Sequence, residues 1–415
     1  MNITFQLALR YVFSRKRAMT MSLIGIIFGV SFFIVTQAQT SGFQTYFIRT
    51  ILGTNGAIRI SDRFQDMKET VNKISKDGQF KFQFKSREDA EYIDGVDYPG
   101  KIRIALSEFP SINGISEVFE CNAALQTKSR NYSVQAHGIR INDHMIASEI
   151  KNQLMHGSIE NFLSDEMGIF IGNRVAERLN LHVNDRVNIV GKKGNFQLRV
   201  SGIFETGVSE IDKKRIYISL ATARSIEGKR FGGSVFQLSM LNPDNARSVA
   251  SQIQQTLGHR TVSWQEREKV WLDVFKALRI SSAITVSTIL LLSGLGMFNV
   301  FAIMVIEKTR DVAILRSIGF EPKDISAIFL WQGMIVLIAG IVGGVLFGVI
   351  GTYLVSQIPL EIRGIFTTDS FVVNWDISHY IWAILIATIF VSIASWIPAR
   401  RASKVEPAKI IRETI

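Results

Sequence analysis

Cysteine is nearly missing from the 415 residues: Cys121 stands alone, which excludes a disulfide within the chain. Its ordinary reading is a small apolar residue of a core, and a bridge to another molecule is the alternative. Histidine is scarce as well. The six (His137, His144, His156, His182, His259 and His379) share no metal-ligand spacing, and surface or loop positions are their default. HExxH, GxSxG and CxxC do not occur. No catalytic or metal-ligating residue is therefore expected, which leaves a membrane-bound enzyme without a constellation behind it.

The scarcity that decides the architecture is of charge. No Asp, Glu, Lys or Arg lies between Arg17 and Arg49, between Arg279 and Glu307, between Asp324 and Glu361, or between Asp376 and Arg400. Hydrocarbon obliges every backbone polar group to be satisfied within its own segment, so about 20 apolar residues form a spanning helix. Core helices of soluble proteins seldom run so far uncharged. With 47% hydrophobic residues and a mean hydropathy of +0.19, the chain is expected to be a multi-pass α-helical membrane protein with four transmembrane helices. A cleavable signal peptide is the rival for the first run, where Thr36-Gln37-Ala38 resembles a cleavage site, but the run is long and reads as an uncleaved anchor.

Basic residues near helix ends mark the cytoplasmic side. Arg10, Arg15, Lys16 and Arg17 precede the first run; Lys308, Arg310, Arg316 and Lys323 lie between the second and third; Arg400, Arg401, Lys404, Lys409 and Arg412 follow the fourth. The flank at 356–378 carries only Arg363 against Glu361, Asp369 and Asp376, as an outside loop should. Much of the net +11 thus reflects topology and calls for no nucleic acid. Both termini are placed in the cytoplasm. The expected boundaries are an amphipathic cytoplasmic helix at 1–17, spans at 18–38, 275–306, 325–355 and 379–398, a large outside domain at 39–274, a cytoplasmic segment at 307–324, the outside loop at 356–378 and a cytoplasmic tail at 399–415. In the N-terminal helix, Phe5, Ala8, Leu9, Val12 and Phe13 share one arc, which suits the inner interface; a plain extension of the first span is the alternative.

The outside domain alternates like strands at Ala57–Ser61, Tyr132–Ala136, Arg186–Val190, Phe196–Val200 and Arg215–Ile218, and is helical in spacing at Ile171–Leu179 and Asn245–Leu257. It is expected to be α+β, inserted between helices one and two. Asp62–Lys101, charged and poor in apolar residues, reads as a mobile insertion. Gly95 to Ile102 imitates a phosphate-binding loop, but Ile102 stands where Mg²⁺ needs a hydroxyl, and Ile102-Arg103-Ile104 looks strand-like. Gly340, Gly344 and Gly348 recur at four-residue steps in the third span, and Gly25 and Gly29 do so in the first. Such glycines let helices approach closely, within the chain or across a dimer seam.

One stretch is more specific. Glu307-Lys308-Thr309-Arg310-Asp311-Val312-Ala313-Ile314-Leu315-Arg316-Ser317-Ile318-Gly319 closely resembles the loop after the second helix in the FtsX/MacB-like superfamily of ABC permeases, and Pro398 to Lys409 resembles that family's ending. Ala8-Leu9-Arg10-Tyr11, Ser41-Gly42-Phe43, Gly202 to Gly207 and Ser263-Trp264 are similar to landmarks of its lipoprotein-releasing branch, so the resemblance covers nearly the whole chain apart from Asp62–Lys101.

The resemblance implies an inner-membrane permease, its large domain periplasmic, that hydrolyses no ATP itself. It would sit with a second permease, identical or homologous, on ABC ATPase subunits that carry ATP and Mg, with no cofactor on this chain. Glu307, Lys308, Thr309, Arg310, Asp311, Ile314, Leu315, Arg316 and Gly319 would then contact the ATPase; Ile314, Leu315 and Ile318 are expected on one helical face with Arg316 across from it. An ordinary turn between two membrane helices is the bland reading. For the lipoprotein-releasing branch, a lipidated protein enters from the outer leaflet and passes to a periplasmic carrier. Val35 and Phe43 would be acyl contacts, or simply lipid-facing residues. Two alternatives stand beside release of lipoproteins: export of another amphiphile, and transmission of ATPase motion to a periplasmic partner without transport.

Overall fold

The computed structural model describes residues 3–14, 16–63, 95–96, 98–127, 130–229, 232–359 and 370–403. Most of the 62–101 insertion and the tail beyond residue 403 lie outside them. Two helices open the chain, α1 (Ile3–Ser14) and α2 (Lys16–Asn55). α2 outlasts its uncharged run and ends only at Gly56, which adopts φ +66° and returns its N–H to Leu52 O at 3.0 Å. There follow β1 (Ile58–Arg63), α3 (Pro99–Ser107), β2 (Ile112–Gln126), β3 (Asn131–Ile139), α4 (Ile141–Ala147), α5 (Ile150–Gln153), β4 (Leu154–Gly157), α6 (Ile159–Ser164), β5 (Gly168–Gly172) and α7 (Asn173–Leu179). The hairpin β6 (Arg186–Gly191) and β7 (Gly194–Phe204) leads to α8 (Ser209–Asp212), β8 (Arg215–Ser219), α9 (Leu220–Glu227), β9 (Ser234–Met240), α10 (Ala246–Leu257), β10 (His259–Ser263) and α11 (Trp264–Arg267). α12 (Lys269–Glu307), α13 (Thr309–Ser317), α14 (Pro322–Ser356) and α15 (Ile377–Ser403) complete the described chain.

Two compact units result among the described residues, one built on the chain up to Tyr46 and from Asp273 onward, the other within Phe47–Leu272. The second unit is the α+β domain. Its sheet runs β10-β1-β9-β2-β3-β8-β5-β7-β4, with β6 joining β2 and β7, and it is antiparallel except for β3·β8 and β5·β7. β2 holds the sheet together because it is long enough to serve two neighbours in succession, β9 along its first half and β3 along its second. Its inward residues Phe119, Cys121, Ala123 and Leu125 join Ile169, Ile171, Ile216 and Ile218 in one core, while Val118 turns to a second core with Phe170, Phe204 and Tyr217. A third packs α10 through Val249, Ala250 and Ile253 on β1 and β9. Ahead of α10, Asn242 caps a 3₁₀ turn over Pro243–Asn245, its side chain accepting from the Asp244 N–H, and α10 itself begins at Ala246 with no side-chain cap.

Three local expectations give way. Ile171 and Gly172 belong to β5, not to the helix after them, because the parallel pairing with β7 runs through Gly172. Ile102-Arg103-Ile104 is helical: Pro99 occupies the first turn of α3, and Ile102 and Leu106, one turn apart, are the buried positions. His137, His144 and His259 are buried rather than in surface loops.

In the helical unit, α2, α12, α14 and α15 are long and apolar enough to cross a membrane. Their directions follow from contacts between glycines and side chains. A Cβ built on Gly340, Gly344 or Gly348 would meet Ile26, Val30 or Ile34 at 2.6, 2.5 and 2.9 Å, so α2 and α14 rise in step, running parallel. Gly25 faces Ser293 and Gly29 faces Leu290, which makes α12 antiparallel to α2. Gly333 faces Ser395 and Gly294 faces Ala394, which sets α15 against α14 and beside α12. The starts of α2 and α14 and the ends of α12 and α15 therefore share one side, the side of the basic flanks. α1 lies along α14 with Ala8 buried and Phe5 edge-on to Trp331 at 5.4 Å; Leu7 and Tyr11 join this packing, and Leu9 points outward.

Candidate functional site

The short link between α12 and α14 is built to hold its shape. Lys308 continues the α12 ladder, its N–H reaching Met304 O at 2.9 Å, and Thr309 Oγ1 donates to Val305 O at 2.8 Å. Asp311 in the first turn of α13 accepts from Lys308 Nζ at 2.8 Å, and the same ammonium sits 5.3 Å over the Tyr11 ring of α1. The carboxylate holds Lys308 above its ordinary pKa, and burial, followed by the Asp311 charge, raises Tyr11. α13 stops at Gly319, whose φ of +109° lets Phe320 N–H return to Leu315 O at 3.1 Å. Glu321 and Asp324 then form a reciprocal capping box, with Pro322 in the first turn of α14.

This geometry sorts the residues singled out in the sequence. Val312 and Ala313 are buried, and Leu315 packs against the membrane-helix core. Ile314 is 50% exposed and Ile318 73%, one turn apart, with Glu307 and Arg310 also outside. Leu315 thus departs from the expected shared face, since consecutive helical residues are turned by about 100°. Arg316 lies between, its Nη1 3.5 Å from Phe320 O and its Nε buried without a partner among the described residues. Tyr11 was no candidate from the sequence; its place beside Lys308 depends on how α1 folds back on α14.

The remaining candidates lie on α2. Val35 packs against Gly351, which a Cβ would bring to 3.0 Å, and Phe43 meets Phe371 edge-on at 5.8 Å. Gly25, Gly29, Gly340, Gly344 and Gly348 face side chains of their own chain, as described above. Polar groups are also paired across α2 and α12: Gln37 Nε2 donates to Ser282 Oγ at 3.0 Å in a partly buried bond, and Arg279 Nη2 to Gln44 Oε1 at 2.6 Å in an exposed one.

The α+β domain offers little that resembles a catalytic centre. In the phosphate-loop lookalike, Ile102 is a buried residue of α3 standing where Mg²⁺ would need a hydroxyl, and Lys101 lies over the Tyr98 ring at 5.2 Å. Among the described residues no three His, Cys, Asp or Glu side chains gather in a metal-binding group. Cys121 is free and buried, its thiol pushed up to about 11 by burial, which makes it a core residue with little nucleophilic character. His144 bonds Ser116 Oγ through Nδ1 at 2.9 Å, and burial lowers its pKa to about 3. Asp212 accepts from Thr206 N–H at 2.9 Å and Thr206 Oγ1 at 2.8 Å, while burial raises it to about 6.

Comparison with known proteins adds the following. Residues 19–256 match the family model of the MacB-like periplasmic core domain, more than half of the chain, and residues 283–407 match the FtsX-like permease C-terminal model. The lipoprotein-releasing system transmembrane protein LolC of Xylella fastidiosa is 25% identical, over 99% of this chain and 98% of that protein. LolC of Neisseria meningitidis is 23% identical, over 98% of both. The macrolide export ATP-binding/permease protein MacB of Acinetobacter baylyi is 21% identical over 99% of this chain but only 59% of its own length.

Proposed function

Because the chain belongs to the FtsX-like, MacB-like family of ABC transporter permeases, we propose that it is the non-catalytic membrane subunit of an ATP-driven system that releases lipoproteins from the outer leaflet of the inner membrane toward a periplasmic carrier. The names of the LolC relatives support this cargo, and their full-length coverage supports the same organisation. In this reading the termini and α13 face the cytoplasm and the α+β domain is periplasmic. ATP and Mg belong to separate ATPase subunits, and a second permease, identical or homologous, completes the transporter. The MacB relative, whose name joins ATP-binding and permease and whose length this chain only partly covers, is consistent with that division.

The observation that carries the proposal is the pair Ile314 and Ile318. Two large apolar side chains stand exposed on a helix that is otherwise tied down by the Lys308–Asp311 pair and Gly319, flanked by Glu307 and Arg310. A braced apolar knob with charged edges suits a groove on a partner protein. Replacing both residues (Ile314→Asp with Ile318→Asp) is expected to lower the amount of ATPase that co-purifies by at least about tenfold, the size of effect hot-spot residues produce, while the permease still inserts. An undiminished complex with normal cargo release would sink the assignment.

A further inference from the structure

The end of α2 is held by donors from distant parts of the sheet domain in an unusual way. The last carbonyls of a helix have no partner within it and are commonly left to water. Here four successive carbonyls have protein donors instead. Glu149 N–H reaches Gly53 O at 2.7 Å, Gln237 Nε2 reaches Thr54 O at 3.1 Å, and Arg267 reaches Asn55 O at 3.4 Å through Nη1 and Gly56 O at 3.0 Å through Nη2. Two more bonds grip the side chains of the same turn: Gln153 Nε2 to Thr54 Oγ1 at 2.9 Å and Arg215 Nη1 to Asn55 Oδ1 at 2.8 Å. The donors come from four separate places in the sheet domain: the α5 turn, β8, β9 and α11. The packing is close: a Cβ on Gly56 would strike Leu238 O and Gln237 at 2.7 Å, and one on Gly53 would crowd the Glu149 side chain at 3.1 Å.

Arg267 differs from the other donors. It stands two residues before α12 begins, and its Nε is held by Glu268 at 3.0 Å. Its planar fork therefore bridges the finish of one long helix to the start of the next, where Phe47 and Trp271 also touch, ring centroids 5.4 Å apart. Burying a guanidinium here, with Arg59 and Arg215 nearby, is electrostatically unfavourable, and Glu268 together with the negative end of the helix dipole offsets part of that cost.

We propose that Arg267 is the pin of a stiff joint through which the ends of α2 and α12 and the sheet domain move as one piece. The proposal rests on the permease reading, because a stiff joint matters most where motion arriving along the helices must reach the domain undiminished. Lysine at this position keeps the charge but offers one donor group where two carbonyls and a carboxylate need three, so it should only partly replace arginine.

The test uses the full chain in lipid nanodiscs with its co-purified ATPase. Spin labels are placed on exposed positions, one pair at Arg49→Cys and Arg186→Cys, a second at Gln6→Cys and Arg186→Cys; buried Cys121 stays unlabelled. With wild-type Arg267, the first pair should give a narrow distance distribution that vanadate-trapped ATP leaves unchanged, whereas the second pair should shift. Arg267→Met should broaden the first pair about twofold and shrink the nucleotide-driven shift of the second, with the melting transition of the sheet domain preserved. Arg267→Lys should fall between. A first-pair distribution equally narrow in all three, with the second-pair shift intact, would overturn the pin while leaving the permease reading in place. Absence of any second-pair shift in the wild-type protein would count against the permease reading itself, and the joint would then be judged on the first pair alone.

Discussion

Buried titratable groups in the sheet domain pull its stability in opposite directions. His144 is held neutral, its pKa lowered from 6.5 to about 3, first by burial and then by the Arg215 charge. Its contribution is complete above 6.5 and drains away as pH falls from there toward 3, because the unfolded chain takes up the proton first. Asp212 is raised from 3.8 to about 6, mainly by burial, so its contribution is present below 3.8 and lost as pH rises through about 6. Asp212→Asn is therefore expected to stabilise the domain at pH 8, by about 1–3 kcal/mol, and to give no gain at pH 4; urea denaturation at the two pH values reads the difference. An equal gain at both would mean that charge is not what burial penalises there. His144→Gln should flatten the loss of stability between pH 6.5 and 3 in the same assay. Little of this was legible beforehand. A histidine in a short amphipathic segment such as Ile141–Ala147 carries no local sign of burial, which depends on Ser116 and Tyr217 arriving from distant strands. Cys121 was easier, because the lack of any second cysteine already pointed to a small apolar core residue, and it is buried on β2.

Among the helices, glycines divide into those that a neighbour needs and those that none does. Gly344 has the Val30 side chain at 2.5 Å from where a Cβ would lie, whereas Gly296 has nothing within 4 Å. Gly344→Val should wedge α2 from α14 and lower thermal stability in detergent, an overpacking cost of about 1–3 kcal/mol. Gly296→Ala should be neutral or gain up to about 1 kcal/mol from helix propensity. The reverse order of melting temperatures would show that the seam is looser than the contacts imply. The four-residue glycine rhythm could be read from the sequence, but not its partner helix, since spacing identifies a face and leaves its occupant open. α3 illustrates the opposite error. Three residues of alternation fit a strand or a helical turn equally well, and Pro99 together with the burial of Leu106 decides the matter.

For the whole molecule, absence of charge was the most informative property, since solvent chemistry alone turns four uncharged runs into four helices long enough to cross a membrane. The order of strands was hidden because β3·β8 and β5·β7 join segments far apart in sequence. If α13 and the sheet domain lie on opposite sides of the membrane, Lys323→Cys, just after α13 and exposed, should react with an impermeant maleimide only in inverted vesicles, and Arg186→Cys only in spheroplasts. Labelling of both from one side would refute the proposed topology. α2 itself sets a further condition on how such a protein works. Its 40 residues include no proline, and at 1.5 Å per residue they make a helix of about 60 Å. A hydrocarbon layer is about 30 Å thick, so where α2 crosses one, about as much of the helix lies outside the lipid as within it, and the apolar side chains of that outer part must find their cover in protein.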